Sequence, residues 1–127
     1  TTLFRSGLAA YIDKNKKRYL FGCCSLTSQD PVLGKRVMDH LEAHGLVHPT
    51  IRVAPQPDWR CYTESFDPGT STLNQEVKLP KLFSLYLRYG AKGCGPPALD
   101  RRFKTIDYLV LFDREDLDAG HRALFFG

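Results

Sequence analysis

Four cysteines are the most reactive side chains in this sequence of 127 residues. No Cys-x-x-Cys pair is present and no histidine flanks a cysteine, so the templates of zinc sites do not fit. A covalent nucleophile would need a base beside it, and no histidine neighbours Cys23 or Cys24 in sequence. If these two adjacent cysteines lie on a strand, they point to opposite faces. We predict free thiols at Cys23, Cys24, Cys61 and Cys94.

His40 and His44 stand four residues apart, a spacing that places both rings on one side of a helix. Such a pair could hold a metal ion, although no third ligand is apparent in the sequence. An exposed polar face of the helix explains the pair as well. We therefore predict no metal site.

Basic residues cluster in two short blocks, which would attract phosphate, nucleic acid or an acidic protein. An ordinary solvated face is the other interpretation. Nucleic-acid binding is not expected, because the blocks lack aromatic interleaving and a recognisable motif. The blocks are Lys14, Lys16, Lys17 and Arg18, and then Arg101, Arg102 and Lys104.

The length and composition are those of one folded domain. Hydrophobic residues make up 43% and charged residues 25% of the chain. These fractions are close to those of soluble globular proteins and differ from those of disordered proteins. No apolar stretch reaches the roughly 18 residues of a membrane span, and the N-terminus lacks the pattern of a signal peptide. We expect a single domain over 1–127 and, by default, a cytoplasmic location.

Local signals in the first part of the chain predict a helix, a strand and a second helix. Apolar residues at helical spacing, followed by a basic end, predict a helix over about 2–15. The apolar run 19–26 is too short for a helix and is typical of a strand buried on both faces. Asp30 and Pro31 form a helix start, and Gly45 ends that helix.

Residues 46–78 hold half of the prolines and are predicted to be a long irregular excursion, with a candidate strand near 51–53. Trp59 lies in this excursion, where it would either line a binding pocket or anchor the loop. Beyond it, the pattern predicts a helix from Pro80 to Gly90. A rigid turn over 93–98, a strand over 106–112 and a short helix over about 115–125 follow.

Helices thus alternate with strands, which indicates the α/β class, with connections long enough for parallel crossovers. Only two strands are strongly indicated, and two strands cannot make a well-protected sheet. We expect further strands from upstream residues or from a partner chain.

Several separate motifs occur in one order along the chain. They are Gly7–Ile12, Phe21–Ser25, Asp30-Pro31, Leu79-Pro80, Tyr86-Leu87-Arg88-Tyr89-Gly90-Ala91, Cys94-Gly95-Pro96-Pro97-Ala98, Asp100-Arg101 and Ile106-Asp107-Tyr108-Leu109-Val110-Leu111. Together they resemble one branch of the GNAT acyltransferase superfamily, often labelled hemolysin, which comprises the bacterial N-acyltransferases that begin ornithine-lipid synthesis. By this resemblance Gly7–Ile12 is the helix after the pyrophosphate loop and Phe21–Ser25 is the next strand. Tyr86 lies four residues before the helix-ending Gly90, as in GNAT folds.

The resemblance implies the C-terminal half of a GNAT fold, with a mixed sheet flanked by helices. Members of the family carry several more strands upstream, including one with a glutamate, and a basic loop that cradles the pyrophosphate. Neither can be assigned here, so the general base is expected upstream of Thr1. We therefore do not expect catalysis by this part alone, and a separate chain or a partner copy would supply the rest.

The implied activity is transfer of a long (3-hydroxy)acyl chain from a phosphopantetheine thioester to the amine of an amino acid such as ornithine. The thioester is carried by acyl carrier protein or by coenzyme A. An acidic carrier protein would dock at the basic block 14–18, and lipid synthesis allows peripheral contact with the inner membrane. The alternative is a non-catalytic module that binds an acyl carrier protein or a membrane surface.

In GNAT folds the pantetheine arm lies between two parallel strands that splay apart, and it bonds unpaired amides of the second strand. By resemblance that strand is 20–25, and a backbone amide near Gly22–Cys24 is the oxyanion donor. Tyr86 is the implied acid for the leaving thiolate, although a tyrosine on an apolar helix face is commonly just core. Thr1 and Thr2 would lie at the pyrophosphate site or simply cap a helix. The implied donor-binding residues are Thr1, Thr2, Leu20, Phe21, Gly22, Cys23, Cys24 and Ser25.

Overall fold

The computed structural model describes residues 18–67 and 77–113 of the chain. The predicted helices over about 2–15 and 115–125 lie outside these ranges. Within them the fold is mixed α/β, as predicted, with a four-stranded open sheet and two helices. In chain order the elements are strand β1 (Tyr19–Leu26), helix α1 (Pro31–Ala43), a 3-10 turn (Pro57–Trp59), helix α2 (Lys81–Arg88) and strands β2 (Lys92–Gly93), β3 (Ala98–Asp100) and β4 (Thr105–Asp113).

Strand β4 is the centre of the sheet. β1 runs along one edge of β4, from the pair Tyr19–Asp113 to the pair Leu26–Ile106, and β2 and β3 share the other edge. All three pairings are antiparallel, so the prediction of parallel crossovers is wrong for the described strands. A long connection permits either strand direction, and the order of elements along the chain therefore did not decide it.

The two short strands β2 and β3 were not predicted, because Gly and Pro residues dominate the segment that they flank. Between them lies the predicted turn, in which Gly95 adopts a φ of +147°. A side chain at this position would overlap the carbonyl group of Val53, so the turn requires glycine. The Val53 N–H donates to the Cys94 carbonyl oxygen at 2.7 Å, which holds the preceding loop against the sheet.

Helix α1 begins and ends as the sequence predicts. The Asp30 carboxylate accepts a hydrogen bond from the Val32 N–H at 2.9 Å, and Pro31 occupies the first helical position. The helix ends at Ala43, and Gly45 follows with a φ of +66°.

Both helices cover the same face of the sheet. The Tyr108 hydroxyl of β4 donates to the Gly34 carbonyl of α1 at 2.6 Å, and the Tyr108 ring contacts Phe83 of α2 with the ring centroids 5.5 Å apart. The core between these layers also includes the α1 residues Val37, Met38 and Leu41, whereas Val32 and Leu33 are only half-buried.

The prediction that β1 is buried on both faces is wrong. Directly opposed residues of an antiparallel pair point to the same face, so Cys24 and its partner Tyr108 both face the helices. The alternate residues lie on the other face, where Phe21 is 55% exposed and Cys23 is exposed. An apolar run such as 19–26 does not distinguish a strand buried on both faces from one that exposes aromatic side chains.

The predicted strand near 51–53 is extended loop rather than strand. Buried His48 anchors this loop: its Nδ1 accepts from the Ile51 N–H at 2.9 Å, and its Nε2 lies 3.6 Å from Asp113 Oδ2. Arg18 Nε donates to the other Asp113 carboxylate oxygen at 3.2 Å. The end of β4 is thereby tied both to the loop and to the residue that precedes β1.

Candidate functional site

A cavity of about 140 Å³ lies between β1 and helix α2. Its walls come from the first half of β1, from one residue of α2 and from β4. They include both the implied acid and four of the six residues of the implied donor strand 20–25. The lining residues are Leu20, Phe21, Gly22, Cys23, Tyr86, Val110 and Phe112.

Gly22 opens this cavity. It lies on the face of β1 that the helices cover, because its register partner Val110 is buried there. A Cβ atom added at Gly22 would have no heavy atom within 4 Å outside its chain neighbours, so the space above the strand is unfilled. Any other residue at this position would place its side chain in the cavity.

Tyr86 forms the opposite wall, and its position follows from the amphipathic pattern of α2. Phe83 and Leu87 are buried against the sheet and fix the rotation of the helix about its axis. Tyr86 is half-buried beside them, and its ring meets Phe112 edge-on at a centroid distance of 5.9 Å. The phenol is therefore held at the margin of the core, where it lines the cavity.

The backbone of β1 adds hydrogen-bonding groups at its outer edge. The Cys94 N–H donates to the Leu109 carbonyl at 3.0 Å, so odd-numbered residues of β4 direct their N–H and C=O groups toward β2 and β3. Even-numbered residues of β4 therefore bond to their β1 partners, which are even-numbered as well. The N–H groups of Phe21 and Cys23 consequently point to the outer edge of β1, which no other described strand pairs.

The remaining implied donor residues lie elsewhere. Cys24 is in the core, where burial, with a further contribution from neighbouring Cys23, raises the pKa of its thiol to about 12. Ser25 is exposed on the other face and donates to Asp107 Oδ1 at 2.7 Å. Thr1 and Thr2 lie outside the described residues.

All four cysteines are free, as predicted. Cys23 is exposed, whereas Cys24, Cys61 and Cys94 are buried. Burial raises the pKa of Cys23, and the negative charge of Asp107 adds to the shift. The thiol is therefore mostly protonated at neutral pH, which is the opposite of what an activated nucleophile requires.

A larger groove of about 490 Å³ runs along the outer side of α2, and sequence reasoning missed it. Leu82 in its wall is 55% exposed and lies one turn before Tyr86 on the same side of the helix. The signal in the sequence was weak, since Leu82 is the one leucine of α2 that neither belongs to the core nor packs against it. The groove is lined by Leu79, Lys81, Leu82, Ser84, Leu85 and Arg88.

Two other residues considered from the sequence lie away from the cavity. Trp59 is 50% exposed in the 3-10 turn and lines neither the cavity nor the groove. The rings of His40 and His44 have their centroids 4.2 Å apart and their planes tilted by 36°, and His44 Nδ1 lies 2.9 Å from the His40 carbonyl oxygen. Within 18–67 and 77–113, no three His, Cys, Asp or Glu side chains are grouped so that they could hold a metal ion.

Among the described residues, no helix has the length and apolar character needed to cross a membrane. No family model, curated protein or solved structure matches the chain.

Proposed function

We propose that this chain is the C-terminal half of a GNAT-type N-acyltransferase that moves a long acyl chain from a phosphopantetheine thioester to the amine of an amino acid. The observation that carries the proposal is that Tyr86 and Leu20–Cys23, implied separately as acid and donor strand, line one cavity. The two segments are about 60 residues apart in sequence, so their meeting at one cavity is not a consequence of local spacing.

The outer edge of β1 supports the role of donor strand. The pantetheine arm contains amide groups that bond to unpaired backbone groups of a strand, and Phe21 and Cys23 direct such groups to the edge. In this proposal the parallel splayed neighbour lies outside the described residues. The antiparallel partner β4 occupies the other side of β1.

The chemical steps can then be assigned to groups at the cavity. The amine attacks the thioester carbonyl, a C–N bond forms, and the Cys23 N–H donates a hydrogen bond to the oxyanion. When the tetrahedral intermediate collapses, the C–S bond breaks and the Tyr86 hydroxyl protonates the thiolate. The base that removes the amine proton is assigned to residues outside the described ranges.

The groove along α2 supports a long acyl chain rather than a short one. It is apolar along Leu79, Leu82 and Leu85 and begins one turn from Tyr86, where the thioester would lie. A volume of about 490 Å³ falls within the range of ligand pockets, roughly 300–1,000 Å³. We assign the acyl chain to this groove and the thioester to the smaller cavity.

The test is transfer itself, measured in the complete protein that contains this chain. Acyl carrier protein and coenzyme A thioesters of several chain lengths are incubated with ornithine and other amino acids. Release of free thiol is followed together with mass spectrometry of the N-acylated product. Formation of both in equal amounts supports the proposal. Binding of the thioester without either product would favour a non-catalytic module that binds acyl carriers.

A further inference from the structure

The hairpin loop between β3 and β4 presents an exposed aromatic residue among cations. Phe103 is 70% exposed, the highest value among the exposed large hydrophobic residues of the described chain. Arg101, Arg102 and Lys104, which form one of the two basic blocks, surround it in sequence and are all exposed. The sequence interpretation that aromatic residues do not interleave the basic blocks is therefore wrong for this one.

The loop holds this conformation through its own hydrogen bonds. Asp100 Oδ1 accepts from the Arg102 N–H at 3.0 Å and from the Phe103 N–H at 2.9 Å, and Asp100 pairs with Thr105 at the base of the loop. These bonds keep Phe103 at the tip rather than folded onto the sheet. They also engage the Asp100 carboxylate, which precedes the basic block in sequence.

A second exposed aromatic residue lies at the same end of the sheet. Arg101 Nη1 donates to the Asp58 carbonyl at 3.0 Å, and Trp59 follows Asp58 with 50% of its surface exposed. Arg60 then pairs with Ala98 at the start of β3. We call the resulting surface the aromatic-basic patch, and it consists of Trp59, Arg60, Arg101, Arg102, Phe103 and Lys104.

We propose that the aromatic-basic patch docks on the surface of an anionic phospholipid membrane. Aromatic side chains on protruding loops partition into the headgroup region, and adjacent Lys and Arg residues are attracted to anionic lipids. Single-stranded nucleic acid is the competing occupant, because it stacks bases on open aromatic faces. The Arg102 guanidinium lies 5.6 Å from the centre of the Phe103 ring, which leaves that face less accessible to a base. This inference is independent of acyl transfer and goes beyond it.

The experiment uses the fluorescence of Trp59, which is the single tryptophan of the chain. Vesicles of phosphatidylcholine containing phosphatidylglycerol are titrated into the protein, and pure phosphatidylcholine vesicles serve as the reference. We expect a blue shift of the emission with the anionic vesicles, which is reversed by salt because the attraction is screened. Absence of a shift, or an equal shift with both kinds of vesicle, would overturn the proposal.

Variants then test whether the patch is the contact surface. The double change Arg102→Glu and Lys104→Glu should lower the vesicle partition coefficient at least about tenfold, since each cation near the surface contributes about fivefold. Phe103→Ser should lower it severalfold. The neutral pair Arg102→Gln and Lys104→Gln guards against a fold defect, and circular dichroism monitors each variant.

Controls at exposed positions outside the patch are Lys78→Glu and Val53→Ser, where Val53 is 42% exposed. Both should bind the anionic vesicles as the parent chain does. Equal losses in patch and control variants would contradict the docking surface. If an oligonucleotide displaces the vesicles, and if the Phe103→Ser variant no longer binds that oligonucleotide, the patch is a nucleic-acid site instead.

Discussion

The ring of Tyr86 meets the ring of Phe112 edge-on, with their planes at 81°. Phe112 pairs in register with Leu20 of β1, so this contact fixes the helix that carries Tyr86 relative to the strand on the other side of the cavity. Edge-to-face pairs contribute about 0.5–1.5 kcal/mol beyond their buried area. The distance between the implied acid and the implied donor strand is therefore determined by packing in the core.

Gly22→Val should fill the cavity and leave the fold intact. The added side chain meets no neighbour within 4 Å at its Cβ, and valine is favoured in strands. We expect thermal stability equal to or above that of the parent and at least tenfold weaker binding of an acyl-phosphopantetheine donor, measured by calorimetry. Ser25→Val, on the exposed face of the same strand, is the matched control. Unchanged donor binding in Gly22→Val would show that the donor does not bind in this cavity.

Much of the fold follows from local signals in the sequence. The Asp30-Pro31 start of α1, the strand over 106–112 and the helix that begins after Pro80 all appear where they are predicted. Each depends on a helix cap, a helix-breaking residue or a hydrophobic periodicity, and neighbouring residues in the sequence supply all of these. Strand direction has no such signal, and the antiparallel pairing of β1 with β4 was missed for that reason.

The candidate site, too, could be predicted only in part from the sequence. Tyr86 and Leu20–Cys23 were singled out by resemblance, but their common cavity depends on how α2 packs against β4. The groove beside Leu82 depends on the same packing. Both features depend on tertiary packing, and only Leu82, which the core does not use, hinted at the groove.

Leu82→Ser should change selectivity for the acyl chain. Because Leu82 is 55% exposed, its loss should cost little stability, yet it removes apolar surface from the proposed acyl groove. We expect KM for long-chain donors to rise about fivefold to thirtyfold and KM for short-chain donors to stay constant, since losing a few buried CH₂ groups costs about 1–2 kcal/mol. Val53→Ser should leave both values unchanged. A parallel rise for all chain lengths would place the acyl chain elsewhere.

Cys23 should be the only thiol among the four that reacts readily in the native chain. Its pKa is raised above the ordinary value, so the thiolate fraction at neutral pH is low and the rate of alkylation should increase as pH rises through 9 and beyond. Mass spectrometry after brief treatment with iodoacetamide locates the adduct. Asp107→Asn should shift the rate profile toward lower pH, because it removes a charge that opposes ionisation. A profile that already levels off near neutral pH would contradict the raised pKa.

Gly95→Ala should destabilise the fold strongly. The added Cβ would overlap the Val53 carbonyl, and the φ of +147° is unfavourable for any residue with a side chain. We expect a loss of about 3 kcal/mol or more in the free energy of unfolding, measured with urea. Gly45→Ala, at a φ of +66° with open space around its Cβ, should lose only about 1–2 kcal/mol. Equal losses would mean that the contact with Val53 does not constrain Gly95.

The hydroxyl group of Tyr86 is the centre of the proposed mechanism, and Tyr86→Phe removes it while keeping the ring that packs on Phe112. The decisive measurement is kcat of this variant with saturating donor in the complete enzyme, after calorimetry has established that its melting temperature is unchanged. Since one general acid contributes about 10²-fold, we predict that kcat falls at least tenfold while donor affinity is retained. A kcat equal to that of the parent would contradict the assignment of Tyr86 as the acid.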